Sequence, residues 1–113
     1  MSKYGNQKTI CDGHVFDSKA EMQRYTELKL LARAGAIMNL KLQPRYVLQK
    51  AFYRPNKDYI REIAYVADFE YTDRKSGRTI VEDVKGFATK DFNIKKKLFL
   101  CKYPDYELVL VKV

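Results

Sequence analysis

The fold is decided by one stretch: Val66-Ala67-Asp68-Phe69-Glu70-Tyr71-Thr72, then Asp73-Arg74-Lys75-Ser76-Gly77, then Arg78-Thr79-Ile80-Val81-Glu82-Asp83-Val84-Lys85-Gly86. Two runs rich in β-branched and aromatic residues flank a polar segment that ends in glycine, the composition of two strands joined by a hairpin turn. The first strand is expected to begin far upstream, so that Ile60 to Tyr71 forms one long strand. The second runs from Thr79 to Lys85, where Gly86 breaks it. Side chains alternate faces along a strand, so Asp83 and Lys85 share a side and Glu82 faces away, unless a bulge swaps the assignment. A hairpin centred on Ser76-Gly77 sets the Asp68 region opposite the Asp83 region. Two carboxylates and an ammonium therefore converge at one end of a sheet.

Upstream of this hairpin, Asp17 or Ser18 can cap a helix, and Ser18-Lys19-Ala20-Glu21 fits a capping box. Met22, Tyr25, Leu28, Leu31 and Ala32 recur at helical spacing until Gly35 supplies the stop, giving roughly four to five turns. Ile37 to Leu40 is a short strand, Gln43-Pro44 punctuates the chain, Arg45 to Gln49 is a further strand, and Arg54 to Asp58 is a turn. Downstream, Thr89 or Asp91 caps a second helix with Phe92, Lys95, Leu98 and Phe99 along one side, ending at Tyr103-Pro104-Asp105. Tyr106 to Val113 alternates as a closing strand. Residues 1–9 are polar and read as loose, leading into an edge strand or hairpin from Ile10 to Phe16. The order helix, three strands, helix, strand predicts an α/β (α+β) domain spanning residues 1–113, with a mixed central sheet flanked by helices and a helical crossover to the last strand.

Composition narrows the function classes. The 113 residues are 46% hydrophobic, enough for one core and too apolar for wholesale disorder. Lys plus Arg number 22 against 14 acidic residues, a formal net charge of +8, which favours a polyanionic partner over an acidic or neutral one. A merely soluble basic protein has the same charge, so charge by itself selects nothing. No apolar run reaches the length of a membrane span, and Met1 to Lys8 lacks a signal-peptide core, so a cytoplasmic protein is expected. Cys11 and Cys101 lie far apart and His14 stands alone, which excludes any familiar zinc spacing.

The chemistry rests on the acidic hairpin. An aspartate among large apolar neighbours, as Asp68 is, costs free energy unless it is paired or metal-bound. Oxygen ligands from one or two carboxylates, with waters retained, suit Mg²⁺ or Mn²⁺ at a phosphate. In that reading Asp68 and Asp83 hold the metal and Lys85 orients the attacking water. The competing reading of Asp83 and Lys85 is a surface salt bridge. Glu21 has two roles open to it, the N3 glutamate of the capping box and a third metal carboxylate. Lys95, Lys96 and Lys97, with Lys90 at the helix start, read either as a solvated face or as contacts to DNA phosphates. Gln43 reads as a turn residue or an assisting side chain. Tyr4, Tyr46, Tyr53 and Tyr59 read as core or rim packing, with stacking on bases as the alternative.

An acidic residue, a hairpin turn, then acidic-x-Lys resembles the signature of the PD-(D/E)XK nuclease superfamily, with Asp68 at its first position and Asp83-Val84-Lys85 at its second. Ala67 stands where a proline is usual. The pattern from Phe16 through Glu21 to Tyr25 and Leu28, followed by Gln43-Pro44, is similar to small phage and prophage endonucleases, some of them related to Holliday junction resolvases. The resemblance covers roughly residues 14–113. It implies a restriction-endonuclease-like core, Glu21 as a metal ligand, and endonucleolytic cutting of branched DNA by a homodimer, in the host cytoplasm if the protein is phage-encoded. A monomeric nickase or mismatch-type endonuclease, a DNA-binding module with an unused nuclease centre, and a structural phage protein are the alternatives carried forward.

Overall fold

The computed structural model describes residues 8–113, which contain ten strands and two helices. Helix α1 spans Lys19–Arg33. Ser18 caps it, its hydroxyl accepting from the Glu21 N–H at 3.2 Å. Gly35 ends it at φ +79°, donating to the Ala32 carbonyl while Ala36 donates to that of Leu31. That pair of bonds is the Schellman arrangement, which the left-handed glycine makes possible. Helix α2 spans Lys90–Lys102, with the Thr89 hydroxyl accepting from the Phe92 N–H at 3.0 Å.

Strands β1 (Thr9–Cys11) and β2 (His14–Phe16) form the expected N-terminal hairpin. The loose stretch expected over residues 1–9 therefore ends earlier, with Thr9 already paired; residues 1–7, Tyr4 among them, lie outside the described residues. The strands that follow are β3 (Ile37–Leu42), β4 (Arg45–Gln49), β5 (Phe52–Tyr53), β6 (Tyr59–Ile60), β7 (Ile63–Val66), β8 (Phe69–Asp73) and β9 (Thr79–Lys85), then β10 (Glu107–Lys112) after α2. Four of them make a mixed sheet in the order β10-β9-β8-β3. Its β8 pairs antiparallel with β9 and with β3, and β10 lies parallel to β9, as a helical crossover requires.

Each face of the sheet buries its own core. Phe16, Tyr25, Leu28, Ile37, Phe69 and Tyr71 pack together on the α1 side. Tyr46, Tyr65, Ala67, Val81, Phe92 and Phe99 pack on the α2 side. Strand β9 serves both, Ile80 joining the first core and Val81 the second. Burial reaches both faces of β9, from Ile80 and Val81 to the acidic pair Glu82 and Asp83. Among the described residues, no helix is long and apolar enough to cross a membrane.

Four expectations are corrected. Ile60 to Tyr71 is not one strand: the chain runs through β6 and β7, breaks at Ala67-Asp68, and resumes as β8. Strand β7 pairs with β4 and β8 with the central sheet, so the break is where the chain passes from a two-stranded ribbon into the sheet. Seven strands, not three, therefore separate the helices; β3, β8 and β9 join the sheet, while β4 to β7 form the ribbon. Strand β3 extends to Leu42 past a register shift between Met38 and Lys41, where Asn39 adopts φ +58°. Finally, Leu31 and Leu98, expected on buried helix faces, stand 39% and 40% exposed; the buried stripes narrow to Tyr25 and Leu28, and to Phe92 and Phe99.

Candidate functional site

The β8–β9 hairpin is regular. Phe69 pairs with Glu82 and Thr72 with Thr79 without a slip, which sets Asp68 beside Asp83 at the end of the ladder. Asp68 is fixed on three sides. Its N–H donates to the Glu82 carbonyl at 3.0 Å, its carbonyl accepts from the Gln43 N–H at 2.9 Å, and its Oδ2 accepts from the Val84 N–H at 2.6 Å. These bonds are why the strand pauses here: the peptide units turn to hold the side chain instead of continuing the pleat.

Asp83 is almost wholly buried. Its Oδ2 accepts from the Tyr65 hydroxyl at 2.6 Å, and its Oδ1 lies 3.4 Å from Lys85 Nζ. Asp83 and Lys85 thus share a side, as strand alternation predicts. Lys85 Nζ also sits 5.2 Å from the centre of the Phe92 ring, a cation–π contact that limits where the ammonium can swing.

Charge is poorly compensated at this point. Burial pushes the Asp68 carboxyl up to about 7, and the nearby Glu21 and Asp83 carboxylates push in the same direction against the Val84 hydrogen bond. Glu21 is also raised, first by burial and then by the charges of Asp17 and Asp83, with Lys85 opposing. Burial and the bond to Asp83 raise the Tyr65 hydroxyl as well, so it stays a donor. Three carboxylates from α1, the β7–β8 break and β9 therefore feel one another, with a single lysine among them.

Space is available on both sides of Lys85. An open cavity of about 630 Å³ is lined by Glu21, Lys85, Gly86, Phe87 and Thr89, among others. A second, of about 230 Å³, is lined by Tyr65, Val66, Asp83, Lys85 and Lys95. Among the described residues, no group of three His, Cys, Asp or Glu side chains is drawn together closely enough to hold a metal by itself. The facing pair Asp68 and Asp83 nonetheless offers oxygen ligands of the kind taken by an ion that keeps most of its waters, and a cation there would oppose the burial and neighbouring charges that raise Asp68.

A family model matches residues 1–113, the full sequence; its description is Protein of unknown function (DUF1064). The chain belongs to the DUF1064 family. No curated protein and no solved structure matches it.

The remaining candidate residues divide by position. Lys95 reaches the smaller cavity, 3.6 Å from Asp91, while Lys90, Lys96 and Lys97 line neither cavity. Gln43 takes the turn role, at φ +52°, and its side chain borders a separate cavity with His14 and Leu40. His14 packs edge-on against Tyr25, 5.8 Å between ring centres. Tyr46 is buried, its hydroxyl donating to Glu70 at 2.6 Å. Cys11 is half-buried against the first core, whereas Cys101 is exposed.

Glu82 faces away from the site, as a regular strand requires. It enters a network the sequence did not announce: Arg24 Nε and Nη2 each donate to its carboxylate at 2.7 Å, and the Tyr71 hydroxyl donates as well. Arg24 lies one helical turn after Glu21, so this clamp also fixes the N-terminal part of α1 against β9. The partial signal was there, an arginine three residues after Glu21 and a second acid beside Asp83. Tyr65 as the donor to Asp83 had no such signal, because it depends on the strand break.

Proposed function

We propose that this chain is a divalent-metal-dependent endodeoxyribonuclease of the PD-(D/E)XK type, with a restriction-endonuclease-like core, that hydrolyses phosphodiesters in branched DNA and works as a two-fold homodimer. The observation that carries this reading is the meeting of Asp68 and Asp83 across one hairpin, with Lys85 at 3.4 Å from Asp83, where burial and the neighbouring carboxylates raise Asp68 to about 7. The order of α1, three sheet strands, α2 and a parallel fourth strand supports it.

Asp68 and Asp83 would hold Mg²⁺ or Mn²⁺, with Glu21, which couples electrostatically to both, as a third carboxylate that would close on the bound ion. When bound, the ion polarises the scissile phosphate and acidifies a coordinated water. Tyr65 holds Asp83 in one rotamer by its 2.6 Å bond, so the carboxylate is set before substrate arrives. Lys85, kept in place by Asp83 and the Phe92 ring, hydrogen-bonds the attacking water and offsets charge building on the phosphoryl oxygens. Lys95, at the rim of the same cavity, neutralises a flanking phosphate. Shape and backbone contacts, not base edges, supply selectivity, and two symmetric cuts in a junction call for two copies.

The test is cleavage of a labelled four-way junction, beside duplex, flap and single-stranded DNA, with Mg²⁺ and with EDTA. Asp83→Asn is the control, because the amide oxygen can still accept from Tyr65 and the fold is retained. Paired, EDTA-sensitive cuts in the junction that vanish in Asp83→Asn are expected. If no substrate is cut, or Asp83→Asn cuts as the parent does, the proposal fails.

A further inference from the structure

The β4–β7 ribbon ends in a tip that neither core explains. Strands β5 and β6 pair only with each other, and no residue between 50 and 62 belongs to either core. At this tip Phe52, Tyr53 and Tyr59 are 46%, 71% and 55% exposed. Tyr53 and Tyr59 sit side by side across the strands, ring centres 5.0 Å apart and tilted by 52°. The Tyr53–Tyr59 couple steadies the tip as a cross-strand pair, yet Phe52, Tyr53 and Tyr59 together leave an apolar patch of ring faces open to water, the kind of surface that marks a contact with something else.

Charge indicates what that is. Arg54 pairs with Asp58 and Arg45 with Glu62. Lys50, Lys57 and Arg61 are exposed and have no acidic partner within 4 Å among the described residues. A second copy docking through the same face would oppose like charges, on a chain already at +8. Aromatic faces flanked by free cations match a nucleic acid whose bases are unstacked, the rings taking the bases and the cations the phosphates. Intact duplex hides its base faces and offers the rings nothing.

The ribbon also connects tip and site. Val66, at its base, lines the cavity that holds Asp83 and Lys85. Tyr59 lies seven positions before it, a span of at most about 23 Å at strand rise. We propose that the 50–62 tip is a nucleic-acid-binding arm, Tyr53 and Tyr59 stacking on unpaired bases at a branch point and Lys50, Lys57 and Arg61 gripping the adjoining phosphates. This rests on the nuclease reading for the branched substrate, while the arm's binding is separable from cutting.

The experiment uses the Asp83→Asn protein in EDTA, so that nothing is cut. Affinities for a four-way junction, single-stranded DNA and plain duplex are compared with those of the same protein carrying Tyr53→Ala and Tyr59→Ala. Loss of about tenfold or more on junction and single strand, with duplex within twofold, is expected. Equal affinity on all three overturns the proposal, as does a loss confined to self-association in sedimentation, which would assign the tip to a second copy. A 2-aminopurine placed at the branch gives an independent readout on the protein with its tip intact: its fluorescence falls on binding if a ring stacks there, and an unchanged signal overturns the arm. If junction affinity depends on the tip but the wild-type protein cuts nothing, the nuclease reading fails and the arm stands. If the wild type cuts but the tip variant binds as its parent does, the arm alone fails.

Discussion

Replacing Arg24 by alanine strands a carboxylate. Glu82 is 1% exposed and takes two guanidinium hydrogen bonds of 2.7 Å plus the Tyr71 hydroxyl. Without Arg24 only the tyrosine remains, and an uncompensated buried charge of this kind typically costs about 3–5 kcal/mol. The Arg24 side chain is 25% exposed, so water enters from one side and the lower end of that range, about 3 kcal/mol, applies. Its second partner, Glu27 at 3.3 Å, is mostly exposed and adds only a few tenths of a kcal/mol. For a chain of this length about 3 kcal/mol lowers Tm by roughly 12 °C. The assay is urea and thermal unfolding of the wild type, Arg24→Ala, Glu82→Gln and the double variant. The double variant should recover at least about 1.5 kcal/mol of the Arg24→Ala loss, because a neutral amide needs no cation. A single-variant loss below about 1 kcal/mol, or no recovery in the double variant, would refute the claim that the pair is buried and coupled.

Three further outcomes follow from the same geometry. In EDTA the folded protein holds a proton on Asp68 that the unfolded chain has already released between about pH 4 and 7, so stability should fall as pH rises through that window. Glu21 pulls in the same direction. Asp68→Asn should flatten the slope of urea midpoint between pH 5 and 8, and an unchanged slope would mean Asp68 is ordinarily ionised. Millimolar Mg²⁺ at pH 8 should raise Tm of the wild type, by mass action, and leave a protein carrying both Asp68→Asn and Asp83→Asn unmoved; an equal shift in both would place the ion elsewhere. Gly77→Ala should cost about 1 kcal/mol through backbone strain alone, since Gly77 is at φ +74° with nothing within 4 Å of the added methyl, and a gain in Tm would contradict the turn geometry.

What the sequence made legible was local. The Ser18 cap, the Gly35 stop, the Asp73–Gly77 turn and the alternation that puts Asp83 and Lys85 on one side each depend on residues a few positions apart, and each is found in the structure. What it hid was long-range. Nothing within Ile60 to Tyr71 says that Tyr65 pairs with Tyr46 in one ladder while Phe69 pairs with Glu82 in another, because both halves have the same β-forming composition. The break is set by bonds from Gln43 and Val84, residues 25 positions before and 16 after Asp68. Likewise a polar turn at Arg54–Asp58 was legible, while the exposure of the rings around it was not, since burial belongs to the whole fold.

Glu82 and Asp83 are neighbours on one strand, both buried and both acidic, and their surroundings separate structure from chemistry. Glu82 faces α1 and is well compensated: a bidentate guanidinium and a hydroxyl occupy three of its roughly four acceptor sites and neutralise its charge. Asp83 faces the other way, with one oxygen held by Tyr65 and the other opposite a lysine too distant for a tight bond, beside a second aspartate that resists ionising. A folded chain that leaves two carboxylates in such a position carries a cost that packing alone does not repay. In the proposed reading a divalent cation offsets that cost, the incompletely bonded Asp83 marking its site while Glu82 holds α1 against β9.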